Sequence, residues 1–178
     1  MQELNKKIIE WAKEREIDKK GTVEGQAIKT IEEMSELIKG ICKDDIDLIK
    51  DSIGDVYVTL IVGSLITNGE EETLKIFKKI EREWNKYEKE ENVDVKNWCG
   101  NEEKEWIKDL FFEASEKILR ENFKYGHDQL EGLWNSLYCY AIRRNTTLKE
   151  CVKLAYNEIA NRKGKIIDGQ FVKESDLK

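Results

Sequence analysis

Apolar residues recur at helical spacing along nearly the whole chain. Ala27, Ile31, Met34, Ile38 and Ile41 alternate steps of four and three, the period of one buried helix face. Leu4, Ile8, Trp11 and Ala12 fall on one helix side over residues 2–15, and Leu74, Phe77, Ile80 and Trp84 make a stripe over 71–90. Helices are predicted at 2–15, 23–42, 46–67, 71–90, 102–122, 128–143 and from Thr146 or Thr147 to about 162. The punctuation agrees with this. Lys19 to Gly21 and Lys43-Asp44-Asp45 read as connectors, with Asp44 or Asp45 as an N-cap. Asn68-Gly69 ends one helix, Tyr125-Gly126-His127 joins two more, and Lys163-Gly164-Lys165 breaks the last. The tail from Ile166 reads as extended, with Asp168-Gly169 as the turn of a small hairpin. Pro is absent from the 178 residues, which favours long helices on short connections. The expected fold is all-α, an antiparallel helical bundle with a short extended C-terminal tail.

Two predicted helices break the apolar pattern with acids. Leu48, Asp51, Asp55, Val58 and Val62 share one line, so two aspartates continue an apolar stripe. Gln26, Lys29, Glu33 and Glu36 form a second line on the preceding helix, flanked by Glu32. The short connector at 43–45 forces the two helices antiparallel and brings the four acids together. Isolated carboxylates on an apolar face cost several kcal/mol, and facing pairs repel. A hard divalent cation relieves both, because Mg²⁺ prefers carboxylate and water oxygens. Glu33, Glu36, Asp51 and Asp55 are therefore the candidate metal ligands. A solvated acidic face is the competing interpretation in a chain that is 38% charged. Gly54 costs helix propensity beside Asp55, which points to close approach of a neighbouring helix or ligand.

Charge and composition narrow the classes. A net charge of −6 argues against broad nucleic-acid or acidic-membrane binding. It leaves a phosphorylated ligand open, since a bound cation reverses the local sign. The longest apolar run, 56–66, is about half of what a bilayer needs. The four cysteines are scattered, without the spacing of a zinc site or disulfide framework. The residues after Met1 form an amphipathic stretch instead of an apolar signal core, so a cytoplasmic location is expected. No glycine-rich phosphate loop is present, and His127 is the single histidine.

Glu32-Glu33-x-x-Glu36, followed by Asp51-Ser52-Ile53-Gly54-Asp55-Val56, resembles the MazG-like all-α nucleotide pyrophosphohydrolases. That family's motif is Glu-Glu-x-x-Glu and then Glu-x-x-Asp. Ser52 stands where the family has an acid, and Asp51 is the candidate replacement. Gln26 and Lys29 also look like the family. Residues 155–177, AYNEIANRKGKIIDGQFVKESDL, resemble the C-terminal segment of small, often phage-encoded members. The resemblance spans about 5–67 and 146–177. It implies Mg²⁺-dependent (Mn²⁺ as a substitute) conversion of a (deoxy)nucleoside triphosphate to the monophosphate and pyrophosphate. It implies Gln26, Lys29, Asn157, Arg162 and Lys163 facing the nucleotide, Glu32 or Glu36 as proton acceptor, and a dimer or tetramer. The alternative is a non-catalytic helical module that senses nucleotide or binds protein, which the loss of the acid at Ser52 favours. The expected organisation is a metal-binding half, 1–91, and a second helical half, 92–178, packed on it. A faint echo lays Phe111 and Phe112 over Glu32 and Glu33, and Gly132 over Asp55. A degenerate second repeat is one interpretation of 92–145, an insertion the other.

Overall fold

The structure, a computed structural model, describes residues 1–90 and 125–177. Among these, helices α1 (Gln2–Glu14), α2 (Ile17–Lys20), α3 (Val23–Lys43), α4 (Ile46–Glu90), α5 (His127–Arg143) and α6 (Leu148–Ile159) precede a hairpin of β1 (Gly164–Ile167) and β2 (Gln170–Lys173). A single 3₁₀ turn, Glu174–Asp176, follows. The all-α expectation holds. The expected boundary at 92–101, the helix at 102–122, and Phe111 and Phe112 lie outside the described residues.

Helix starts and stops follow local chemistry. The Thr22 hydroxyl accepts from the Gly25 amide at 3.1 Å and opens α3. Asp44 ends α3 in the left-handed region, and the Asp45 carboxylate accepts from the Leu48 amide to open α4. Thr147 and Glu150 form a reciprocal capping box on α6. Gly69, at φ 77° and ψ 171°, interrupts α4 at the predicted break, so two helical segments run on from each other at an angle. A buried Ser64–Thr73 hydrogen bond of 3.0 Å spans that break. Of the predicted turn at 19–21, Lys19 and Lys20 instead belong to a one-turn helix, entered through Glu16 at φ 56°.

The first segment of α4 is the axis of the bundle. Ile49, Ile53, Val56, Tyr57, Leu60 and Ile61 are completely buried, and Val58 and Val62 nearly so. A helix apolar on every side needs neighbours all round. Helices α1, α2, α3, α5 and α6 supply them. Residues from both expected halves enter one hydrophobic cluster. On α3, Ala27, Met34, Leu37 and Ile41 are buried, whereas Ile31 and Ile38 lie half-buried at its edge. The inward face is thus turned slightly from the predicted stripe.

Gly54 explains where α6 sits. A Cβ there would lie 2.3 Å from the Cys151 carbonyl oxygen and 2.8 Å from Ala155 Cβ. The predicted close neighbour is therefore a helix. Gly54→Ala should lower stability by about 1–3 kcal/mol despite alanine's better helix propensity, because backbone must move. Thermal or urea denaturation of the variant measures this; an unchanged midpoint would refute the tight α4–α6 contact.

Candidate functional site

Helices α3 and α4 run antiparallel in a fixed register. Gln26 Nε2 donates to the Thr59 carbonyl at 3.1 Å, and Gly40 packs on Ile49. Between those two contacts, Glu33 and Glu36 come alongside Asp55 and Asp51. The close contact at Gly54 then brings α6 in from the other side, and Glu158 joins the four predicted acids. Their charges act on one another. Burial, then the charges of Glu33, Asp51 and Glu158, push the Asp55 carboxyl up to about 7. Burial, then Glu158, Glu33 and Glu36, raise Asp51 as well, with Arg162 opposing in both cases.

Two cations divide these acids. Lys29 Nζ lies 2.9 Å from Glu32 and 2.8 Å from Glu33. Burial works against the Lys29 ammonium, but the two glutamates outweigh it and hold its pKa above the usual lysine value. Arg162 pairs with Glu158 one turn earlier in the chain. Among the described residues, no three acidic, histidine or cysteine side chains close on a common point as a preformed metal cage. The expected cage of Glu33, Glu36, Asp51 and Asp55 is a neighbourhood of acids, with Glu33 turned to Lys29 and Glu36 exposed. The donor set still fits a hard divalent cation. Every donor is a carboxylate oxygen, and no cationic side chain pairs with Asp55 within ion-pair distance among the described residues.

A cavity of about 220 Å³ opens beside the acids. Asp55, Val58, Thr59 and Val62 on α4, and Glu33, Lys29, Gln26 and Gly25 on α3, line it turn by turn. Its character therefore grades along the helices. Glu32, Glu33, Asp55, Lys29, Arg162 and Lys173 supply charge, and Trp11, Ile17, Val58, Val62 and Phe171 supply apolar wall. Trp11 is fixed by donating Nε1–H to the Ile159 carbonyl at 2.8 Å, and its ring meets Phe171 edge-on at 5.7 Å between centroids.

The hairpin closes the remaining side. Asp168 (φ 49°) and Gly169 (φ 80°) form its two-residue turn, as Asp-Gly predicts. The turn docks on the start of α3, where the Thr22 amide donates to the Gly169 carbonyl at 3.0 Å. A Cβ on Gly25 would lie 2.8 Å from that oxygen. From this anchorage Gln170, Phe171 and Lys173 extend along the cavity.

Not every predicted residue reaches the site. Gln26, Lys29, Glu32, Glu33, Asp55 and Arg162 line the cavity, and Asp51 stands within the acid cluster. Glu36 does not line it and touches the cluster only through its charge on Asp51. Asn157 is exposed on the outer side of α6, and Lys163 borders a separate groove with Arg15 and Glu174. Neither lines the cavity: Asn157 sits on an exposed face of α6 itself, and Lys163 follows the chain's exit beyond Ile159, where α6 ends. Gln170 and Lys173 line the cavity in their place, and Glu158 acts on the acid cluster beside it. Glu158 sits in the recognised Ala-Tyr-Asn-Glu-Ile stretch, four before Arg162, and that spacing was its one visible signal. His127 pairs with Glu83 at 3.0 Å and does not line the cavity.

The protein is thus an all-α bundle with an acid-edged cavity walled by a C-terminal hairpin. No family model matches the chain, and no solved structure does. The chain is similar to an uncharacterised 18.2 kDa protein from the rep–hol intergenic region of Haemophilus phage HP1 (strain HP1c1), at 42% identity over 62 residues. That match covers 35% of this chain and 38% of the phage protein, well under half of either.

The raised Asp55 carboxyl has a measurable consequence. Folded Asp55 keeps its proton to about pH 7, while the unfolded chain releases it near 3.8. The folded state binds the extra proton between those values, so stability falls as pH rises from about 4 to 7. Asp55→Asn should remove most of this slope, leaving the part that Asp51, raised in the same direction, contributes. In chelator, the variant should gain on the wild type by a few kcal/mol, as an order of magnitude, between pH 4 and 8. Thermal melts across that range test it, and a pH-independent difference would refute it.

Proposed function

We propose that this chain is a divalent-cation-dependent nucleoside triphosphate pyrophosphohydrolase, releasing a nucleoside monophosphate and pyrophosphate. One observation carries the proposal: carboxylates from α3 and α4 line the charged end of a cavity whose other walls are largely aromatic and aliphatic, with Asp51 and Glu158 close enough to act on Asp55. The MazG-like motif resemblance supports the reaction class. A phosphate chain suits the first end, and a sugar and base the second.

Glu33, Asp51 and Asp55 would hold the cation, with Glu158 and Glu36 at its margin. A cation held there, Mg²⁺ or Mn²⁺, would polarise the phosphoryl group and lower the pKa of a water. Of the two expected proton acceptors, Glu32 lines the cavity and Glu36 does not. Glu32 would take the proton as water adds and the α–β anhydride bond breaks. Lys29, Arg162 and Lys173 would offset charge on the departing pyrophosphate. Trp11, Phe171, Val58 and Val62 would seat the base, with the carboxamides of Gln26 and Gln170 beside it.

A second reading, nucleotide sensing without turnover, has its own support in Ser52 and in the unclosed acid cluster. A homo-oligomer, dimer or tetramer, and a cytoplasmic location belong to both readings. Among the described residues, no helix is long and apolar enough to cross a membrane.

Pyrophosphate release from a panel of canonical and modified (d)NTPs, with and without Mg²⁺ or Mn²⁺, separates the two. Turnover should require the cation and fall about 100-fold or more in Glu33→Gln and Asp55→Asn. Glu10→Ala, on the exposed side of α1, should leave it unchanged. No turnover of any nucleotide, with saturable binding retained, would overturn catalysis in favour of the sensor.

A further inference from the structure

Helix α6 ends beside the cavity, and its last carbonyls need partners. Three carbonyls at and just past its end, those of Ile159, Ala160 and Arg162, accept from Trp11 of α1 and from Arg15, the residue that follows α1. Trp11 Nε1 donates to Ile159 O at 2.8 Å. Arg15 Nε donates to Arg162 O at 2.9 Å, and its Nη2 to Ala160 O at 3.1 Å. A third nitrogen of the same guanidinium, Nη1, donates to Trp11 O at 3.1 Å, and the group lies 5.0 Å from the Trp11 ring centroid. The Arg15 side chain is only 17% exposed. One planar fork thus ties together α1, the cavity-lining Trp11, and the backbone on both sides of Asn161.

That backbone carries Arg162, whose side chain lines the cavity and pairs with Glu158. Two residues on, Gly164 begins the hairpin, and the Glu174 amide closes its root on Lys163 O at 2.9 Å. We propose that Arg15, which does not line the cavity, is a positioning residue for anion binding: it holds the α6 terminus so that the Arg162 guanidinium faces the phosphate chain. This rests on the nucleotide reading above for the ligand, but the hold itself does not. Lysine keeps the charge and cannot reproduce the fork, because a single ammonium has no fixed pair of parallel donors.

The test uses the full chain and inorganic tripolyphosphate with Mg²⁺, titrated calorimetrically. Arg162→Ala should weaken binding about tenfold, the loss of one charge-assisted contact. Arg15→Lys should weaken it by a similar factor, and the double variant should be no worse than Arg162→Ala alone. The melting temperature of Arg15→Lys should fall equally with or without the second substitution, so a merely structural role would leave the two losses in affinity additive. Additive losses, or wild-type affinity in Arg15→Lys, would overturn the proposal. If the wild type binds no tripolyphosphate, the nucleotide reading fails on its own. Arg15→Lys must then still speed amide hydrogen exchange at Arg162 and Lys163 while α3 amides stay unchanged. Unchanged exchange at those two amides would overturn the positioning role.

Discussion

Repulsion among carboxylates is the constraint around which this bundle is arranged. Glu33, Glu36, Asp51, Asp55 and Glu158 come from three helices that the core forces together. The buried segment of α4 takes most of its stability from apolar contact with α1, α3, α5 and α6. That packing is indifferent to the acids at its edge, so it can hold them closer than they would sit alone. Gly54 is where the indifference shows. The α6 backbone sits nearly on α4, and the acid of α6 is carried in with it. Lys29 and Arg162 answer part of the charge, while Asp55 keeps a proton to about pH 7. A helical pair that needed only stability would place aliphatics here, since paired buried charge seldom improves on apolar packing.

The cavity is framed by segments distant in sequence, each fixed by backbone groups. The hairpin is tied at its tip to Thr22 and at its root, through the α6 terminus, to Trp11 and Arg15. Two strands alone are marginal in water, so these ties give the hairpin its shape as much as its own ladder does. The result is a wall that lays Gln170, Phe171 and Lys173 along the cavity without belonging to the bundle core. Such a wall can vary in its inward side chains while the helical frame stays constant.

Local signals in the sequence carried much of this. Helical periodicity, the Asp45 and Thr147 caps, the break at Gly69 and the Asp168-Gly169 turn all depend on a few neighbouring residues, and all appear where expected. The acids of α3 and α4 were legible because a three-residue connector leaves only one way for the helices to pair. Glu158 and Lys173 were not. Their place depends on how α6 crosses α4 and on where the hairpin tip lands, and contacts over a hundred residues apart leave no periodic trace. Asn157 and Lys163 were misplaced for the converse reason. A familiar string assigns residues to a segment, but the last turn of a helix decides which way each one faces.

Ser52 shows how far one residue's rotation matters. It is 1% exposed, and its hydroxyl has no hydrogen-bond partner among the described residues. A carboxylate there would lose nearly all its water, and as an unpaired ion that costs several kcal/mol. Asp51 lies about 100° round the helix, half-buried, where it meets Glu33, Glu36 and Glu158. An acid at 51 thus stands outside the packed seam that holds Ser52, where water still helps to solvate it. Asp51 meets acids of both neighbouring helices, Glu33 and Glu36 from α3 and, on its α6 side, Glu158. Glu158, the first charge to act on Asp51, stands on that side.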